Sequence, residues 1–121
     1  MLPFLYMGDK AMAAVLVGLT SLGEKAIEVI VKYLADNDIE CPDNLFHSPV
    51  DCASVDANSL ENSVLVLIHD GVDACRALSM DGAFEQNGGD YSLYEGLVDL
   101  LGEHGVYLEQ INRCSSAVYK D

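Results

Sequence analysis

A chain of 121 residues, half of them hydrophobic and with no low-complexity tract, has the size and composition of one globular domain, which excludes an intrinsically disordered segment. Twenty acidic against six basic residues give a formal net charge of −14, which opposes direct binding to nucleic acid or an anionic membrane and favours a cationic partner. From Tyr33 to Asn112 sixteen acids stand against a single base, Arg76, and a field of one sign is the arrangement that steers a charged partner.

Met1 to Met7 is apolar with Pro3 near its start, so it reads as an edge strand or an extended arm. Asp9 caps an expected helix over about Lys10 to Leu19 that has almost no polar face, which implies burial all round, either at the centre of the fold or in a homodimer. The apolar run Ala11 to Leu22 is not expected to be an export signal, since Asp9 stands where a basic region should lead in, nor a membrane span, which takes about 20 apolar residues. A cytoplasmic location is expected, with Cys41, Cys52, Cys75 and Cys114 as free thiols. Ser21-Leu22-Gly23-Glu24 reads as a capping box opening a second helix that ends near Ala35. Its buried stripe is Leu22, Ala26, Ile27, Val29, Ile30, Tyr33 and Leu34, with Glu28 and Lys32 paired on the outside.

Between Asp36 and Asn62 turn clusters replace periodicity, with Leu45, Phe46 and Val50 as anchors, and this stretch carries seven acids and no base. Val64-Leu65-Val66-Leu67-Ile68 is a continuous apolar run, expected as a central strand covered on both faces. Asp70-Gly71 then signals a hairpin, with Val72 to Met80 returning; the rival reading makes Asp73 the N-cap of a short helix. Asp81 to Asp90 reads as a glycine-rich acidic loop. Ser92-Leu93-Tyr94-Glu95 is a second capping box, opening a helix that Gly105 closes in left-handed conformation, with Leu93, Leu97, Val98, Leu100, Leu101 and His104 inside. Val106 to Ile111 is an expected strand, Asn112 to Ser116 a turn, and Ala117 to Tyr119 a short last strand. The order of elements reads as a single α+β domain over residues 1–121, an antiparallel sheet with a hairpin around 63–80 and a C-terminal strand under about three helices; an α/β arrangement is the alternative.

Three chemistries compete for a site. Glu95, Asp99 and Glu103 recur at four-residue steps on one helix face, where like charges repel, and with Asp81, Glu85 and Asp90 of the adjoining loop they make an expected surface for a basic partner. His69-Asp70 lies at the end of the apolar strand, where Cys75 as nucleophile and His69 as base would suit catalysis, but no nucleophile motif accompanies them. Cys41, His47, Cys52, His69 and Cys75 have no zinc spacing, and Asp36-Asn37-Asp38 lacks the remainder of a calcium loop, so neither a metal nor another cofactor is expected. The sequence therefore reads as a binding protein and not an enzyme. The role expected from charge and size is that of a small acidic protein that inhibits or neutralises a basic, nucleic-acid-binding protein, as nuclease-toxin immunity proteins, antitoxins and phage anti-restriction or anti-CRISPR proteins do. An acidic dimeric chaperone of a secreted effector is the alternative, and a small enzyme using His69 and Asp70 a third.

Overall fold

The structure, a computed structural model, describes residues 19–49 and 63–121. The expected arm at 1–7, the first apolar helix with its homodimer contact, Val50 and Cys52 fall outside the described residues. Those described form helix α1 (Ser21–Asp36), strands β1 (Phe46–His47) and β2 (Ser63–Ile68), helices α2 (Cys75–Leu78), α3 (Met80–Gln86) and α4 (Ser92–Gly102), and strands β3 (Val106–Asn112) and β4 (Ser115–Lys120). The four strands make one antiparallel sheet in the order β1-β2-β4-β3, which is an α+β architecture, as the order of elements predicts.

Helix α1 follows its apolar periodicity: Ala26, Ile27, Val29, Ile30, Val31 and Leu34 are buried. Its start lies one residue earlier than the capping-box reading places it. Thr20 is the N-cap and its side chain accepts from the Gly23 amide at 3.0 Å, leaving Ser21 inside the first turn. Gly23 lets the helix meet the sheet closely, because a Cβ there would lie 2.4 Å from the Val64 carbonyl oxygen. The outer pairs are Lys25 with Glu28 and Lys32 with Asp36, not Glu28 with Lys32. Leu45 and Phe46 are buried anchors as predicted, and Phe46 stands opposite Leu67 in the β1–β2 ladder.

Strand β2 is inner, and its alternation divides the core. Leu65 and Leu67 join the main cluster under the helices, while Val66 joins Ala117 and Tyr119 in a second, smaller cluster to which Ile68 and Ile111 contribute. The Tyr107 and Tyr119 rings stack beside it with centroids 5.3 Å apart.

The predicted hairpin around 63–80 does not form. Gly71 does adopt a left-handed φ of 71° in a turn after β2, but the chain then enters α2 and not a return strand. Both edges of β2 are already taken, by β1 and by β4, so a returning strand would have nowhere to pair. Ala74, Ala77 and Leu78 instead bury at helical spacing. The short-helix reading is the correct one, although Ala74 and not Asp73 occupies the N-cap. Among the described residues the tight hairpin is β3–β4, whose turn is confined to Arg113 and Cys114 and whose last strand begins at Ser115, inside the predicted turn.

The expected loop at 81–90 is largely helix. Ser79 caps α3 by accepting from the Gly82 amide, and Gly82 is required because a Cβ would lie 2.1 Å from the Cys75 carbonyl oxygen. At α4 the second capping box is not made: Tyr91 is the N-cap residue, and Ser92 turns back to donate its N–H and O–H to Asp90. Gly105, with φ of 80°, follows the helix as expected, while His104 is exposed beyond the helix end and not part of its inner face.

Candidate functional site: an acidic face and a buried cysteine–histidine cluster

The six predicted partner-binding acids divide into two groups. Asp81 and Glu85 project from α3 toward the β3–β4 hairpin, where Asp81 accepts from Gln110 Nε2 at 2.8 Å and Glu85 pairs with Arg113. Asp90 accepts from Ser92 at the foot of α4, and those hydrogen bonds hold its carboxyl below the ordinary carboxylate range. These three have partners within the fold.

Glu95, Asp99 and Glu103 form the second group. All three are exposed, one helical turn apart along α4, and none takes part in an ion pair among the described residues. Lys25, Lys32, Arg76 and Arg113 are each engaged with an acid elsewhere. Glu95 in the first turn is favoured by the helix dipole, whereas Glu103 sits at the C-cap, the negative end, with no basic residue in the last turn.

The side chains that sequence reasoning considered for catalysis do meet, through a route the sequence does not show. His69, 0 % exposed, follows β2; its backbone N–H donates to the Cys114 carbonyl at 2.8 Å. Ser116 Oγ donates its one proton to the Leu78 carbonyl at 2.9 Å, so its 2.9 Å contact with His69 Nε2 is a donation from the ring. Nδ1 is then a bare acceptor, and the donor facing it at 3.2 Å is the Cys75 thiol. Ser79 Oγ accepts from Gly82 and lies 3.3 Å from both the Cys75 carbonyl oxygen and Cys75 Sγ. A directed chain therefore runs from Cys75 S–H through the imidazole and the Ser116 hydroxyl to Leu78, joining α2, β2 and β4.

This is the arrangement of nucleophile, base and orienting group, but its electrostatics hold it uncharged. Burial pushes His69 down to about 4, against the opposing pull of its backbone hydrogen bond and of Asp70. Burial also pushes the Cys75 thiol up; the Ser79 hydrogen bond opposes that, and the charges of Glu85, Asp81 and Asp70 reinforce it. An activated thiolate–imidazolium pair needs the reverse of both shifts. As placed, the cluster is a polar clasp in which each side chain has a hydrogen-bond partner inside the core. Asp70, the other half of the predicted dyad, is exposed and faces Cys114, whose thiol is pushed up first by the hydrogen bond to that carboxylate and next by burial.

Sequence reasoning did not single out Ser79 or Ser116. Two adjacent serines in an otherwise apolar strand, Ser115-Ser116-Ala117-Val118-Tyr119, are the available signal, because a buried hydroxyl requires a partner. Among the described residues no group of three or more His, Cys, Asp or Glu side chains is placed to hold a metal ion. Cys41 and His47 lie near the chain's own Pro42 and Asn44 carbonyls, apart from the His69 cluster. No helix among the described residues is long and apolar enough to cross a membrane. Comparison with models of known protein families, with curated proteins and with solved structures finds no match to this chain.

Proposed function

We propose that the chain is a small acidic binding protein that inhibits or neutralises a basic, nucleic-acid-binding partner protein, in the manner of an immunity protein, an antitoxin or a phage anti-restriction or anti-CRISPR inhibitor. The observation that carries this reading is the row Glu95, Asp99 and Glu103, exposed along α4 with no cation of the described fold paired to it. Like charges one turn apart repel by roughly 0.2–0.5 kcal/mol per pair, and Glu103 adds an unfavourable interaction with the helix terminus. Lysines or arginines of a partner offset both terms on docking. A stripe of acids on a body with one basic residue between Tyr33 and Asn112 also presents phosphate-like charge to a surface that evolved to hold phosphates.

The test is charge reversal. The double variant Asp99→Lys and Glu103→Lys places cations at the C-terminal end of α4, where they suit the dipole, so the melting temperature should hold or rise. Parent and variant are used as baits in extract from the organism that makes the protein, and the captured protein is purified for stopped-flow association. The expected partner is basic, binds nucleic acid in competition with the chain, and associates with the variant at least tenfold more slowly at low salt. Raising salt should slow the parent, because the Debye length falls from about 10 Å at 0.1 M to about 3 Å at 1 M. An acidic partner, or a reversed variant that associates as quickly as the parent, would show that charge is not the basis of binding.

A further inference from the structure

Two large apolar side chains stand outside the core on one helix: Met80 is 52 % exposed and Phe84 63 % exposed. They are four residues apart on α3, so they lie one above the other on a single face. Isolated exposed hydrophobics are common on folded proteins, but a pair on one face of one helix is not accounted for by folding. Helix α3 is fastened on its other sides. Gly82 and Ala83 are buried, Gln110 Oε1 accepts from the Met80 and Asp81 amides at 2.9 and 3.3 Å, and Glu85 is tied to Arg113. The two side chains are therefore presented on a rigid support, which lowers the ordering cost of an interface. Phenylalanine and methionine are also residue types that serve as anchors, the one rigid and the other adaptable.

We infer that Met80 and Phe84 form the apolar anchor of a docking surface whose occupant is a segment of another protein carrying Lys or Arg beside an apolar side chain. This rests on the acidic-binder reading above and adds to it the contact that supplies residence time, while the acids supply the rate of encounter. Charge decides between occupants. Beside the anchor, Arg113 offsets the charge of Glu85, but Asp81 and Asp90 are hydrogen-bonded only to the neutral Gln110 and Ser92 and keep theirs, and from Tyr33 to Asn112 the chain holds sixteen acids and one base. A second copy of the chain brings a net charge of −14 to the same place and is repelled, as is an anionic membrane. A basic segment with an apolar knob satisfies both parts of the surface.

The experiment selects peptides from a phage-displayed library of random dodecapeptides on the immobilised full chain, on the double variant Met80→Ser and Phe84→Ser, and on the Asp99→Lys, Glu103→Lys variant. Because both anchor side chains are exposed, the serine variant should keep the parent's circular dichroism spectrum and melting curve. Peptides that combine Lys or Arg with an aromatic or aliphatic residue are expected from the parent, with affinity at least tenfold weaker for the serine variant. Basic peptides that bind parent and serine variant equally would overturn the anchor while leaving the acidic reading standing. Apolar peptides without cations would overturn the stated chemistry of the occupant and count against the acidic reading as well. No enrichment on the parent would overturn the inference, and so would sedimentation showing a micromolar dimer of the parent that the serine variant abolishes, since the occupant would then be a second copy.

Discussion

Acidification should weaken this fold through His69, and by an amount that can be worked out. The ring is wholly buried, and its pKa falls from 6.5 to about 4. Above pH 6.5 both folded and unfolded chains hold it neutral, so its contribution to stability is complete there. As pH drops below that point the unfolded chain takes up a proton that the folded chain refuses until about pH 4. At about 1.4 kcal/mol per pH unit, a gap of roughly 2.5 units amounts to about 3 kcal/mol of stability lost between pH 6.5 and 4. The carboxylates titrate in the same range, and relief of their mutual repulsion acts in the opposite direction, so the measurement has to be differential. Urea unfolding of the parent and of His69→Gln, whose amide can still donate to Ser116 Oγ, should be compared at steps from pH 7.5 to 4. The gap between the two curves should change by about 3 kcal/mol as the parent loses the stability that the glutamine variant has no ring to lose. The His69 ring proton resonances of the parent should titrate with a midpoint near 4. Parallel curves, or a midpoint of 6 to 7, would refute the neutral, directed chain from Cys75 to Leu78.

Other substitutions test single contacts. Thr20→Ala should cost about 1 kcal/mol in urea unfolding by removing the cap on Gly23, whereas Ser21→Ala should be neutral or slightly stabilising, and the reverse order would move the start of α1. Gly82→Ala places a Cβ 2.1 Å from the Cys75 carbonyl oxygen and 2.7 Å from its sulfur, so the loss of stability should reach the upper end of the roughly 1–3 kcal/mol that overpacking costs; a variant as stable as the parent would contradict the close approach of α2 and α3.

Strong periodicity made some elements readable. Helix α1, strand β3 and the body of α4 follow from apolar spacing, β2 from an apolar run too short for a helix and rich in β-branched residues, and Gly105 was readable because left-handed backbone favours glycine. Where two residues could each serve, the frame was not readable: Thr20 and Ser21 both carry a capping hydroxyl, and only the geometry of the first turn selects Thr20. Asp70-Gly71 misled because a turn fixes the direction of the next few residues and not what they pair with; the occupancy of both β2 edges, decided by β1 and β4, sent the chain into helix. At 80–86 the glycines suggested a loop, yet Gly82 is there to let two helices touch. The acids of α4 lie where spacing placed them, on an exposed face. The meeting of His69 with Cys75 could be imagined from residue types, but Ser116 enters through sheet register alone, which no local pattern encodes.

That register also sets an order of events when the chain is made. Strand β2 finds its inner neighbour in β4, and His69 is 47 residues from the hydroxyl that fixes its tautomer. At about 5–20 residues per second, a ribosome leaves the β2 edge without that neighbour for roughly 2–10 s. During this interval Val64 to Ile68 is an apolar strand with an open edge, the kind of segment that pairs with other chains. The β3–β4 hairpin closes locally in about 1–10 μs once β4 has followed the turn at Arg113 and Cys114, so docking of that hairpin onto β2 ends the hazard. Yield on expression should therefore depend on elongation speed and chaperone supply across residues 69–115 more than on the final stability of the fold.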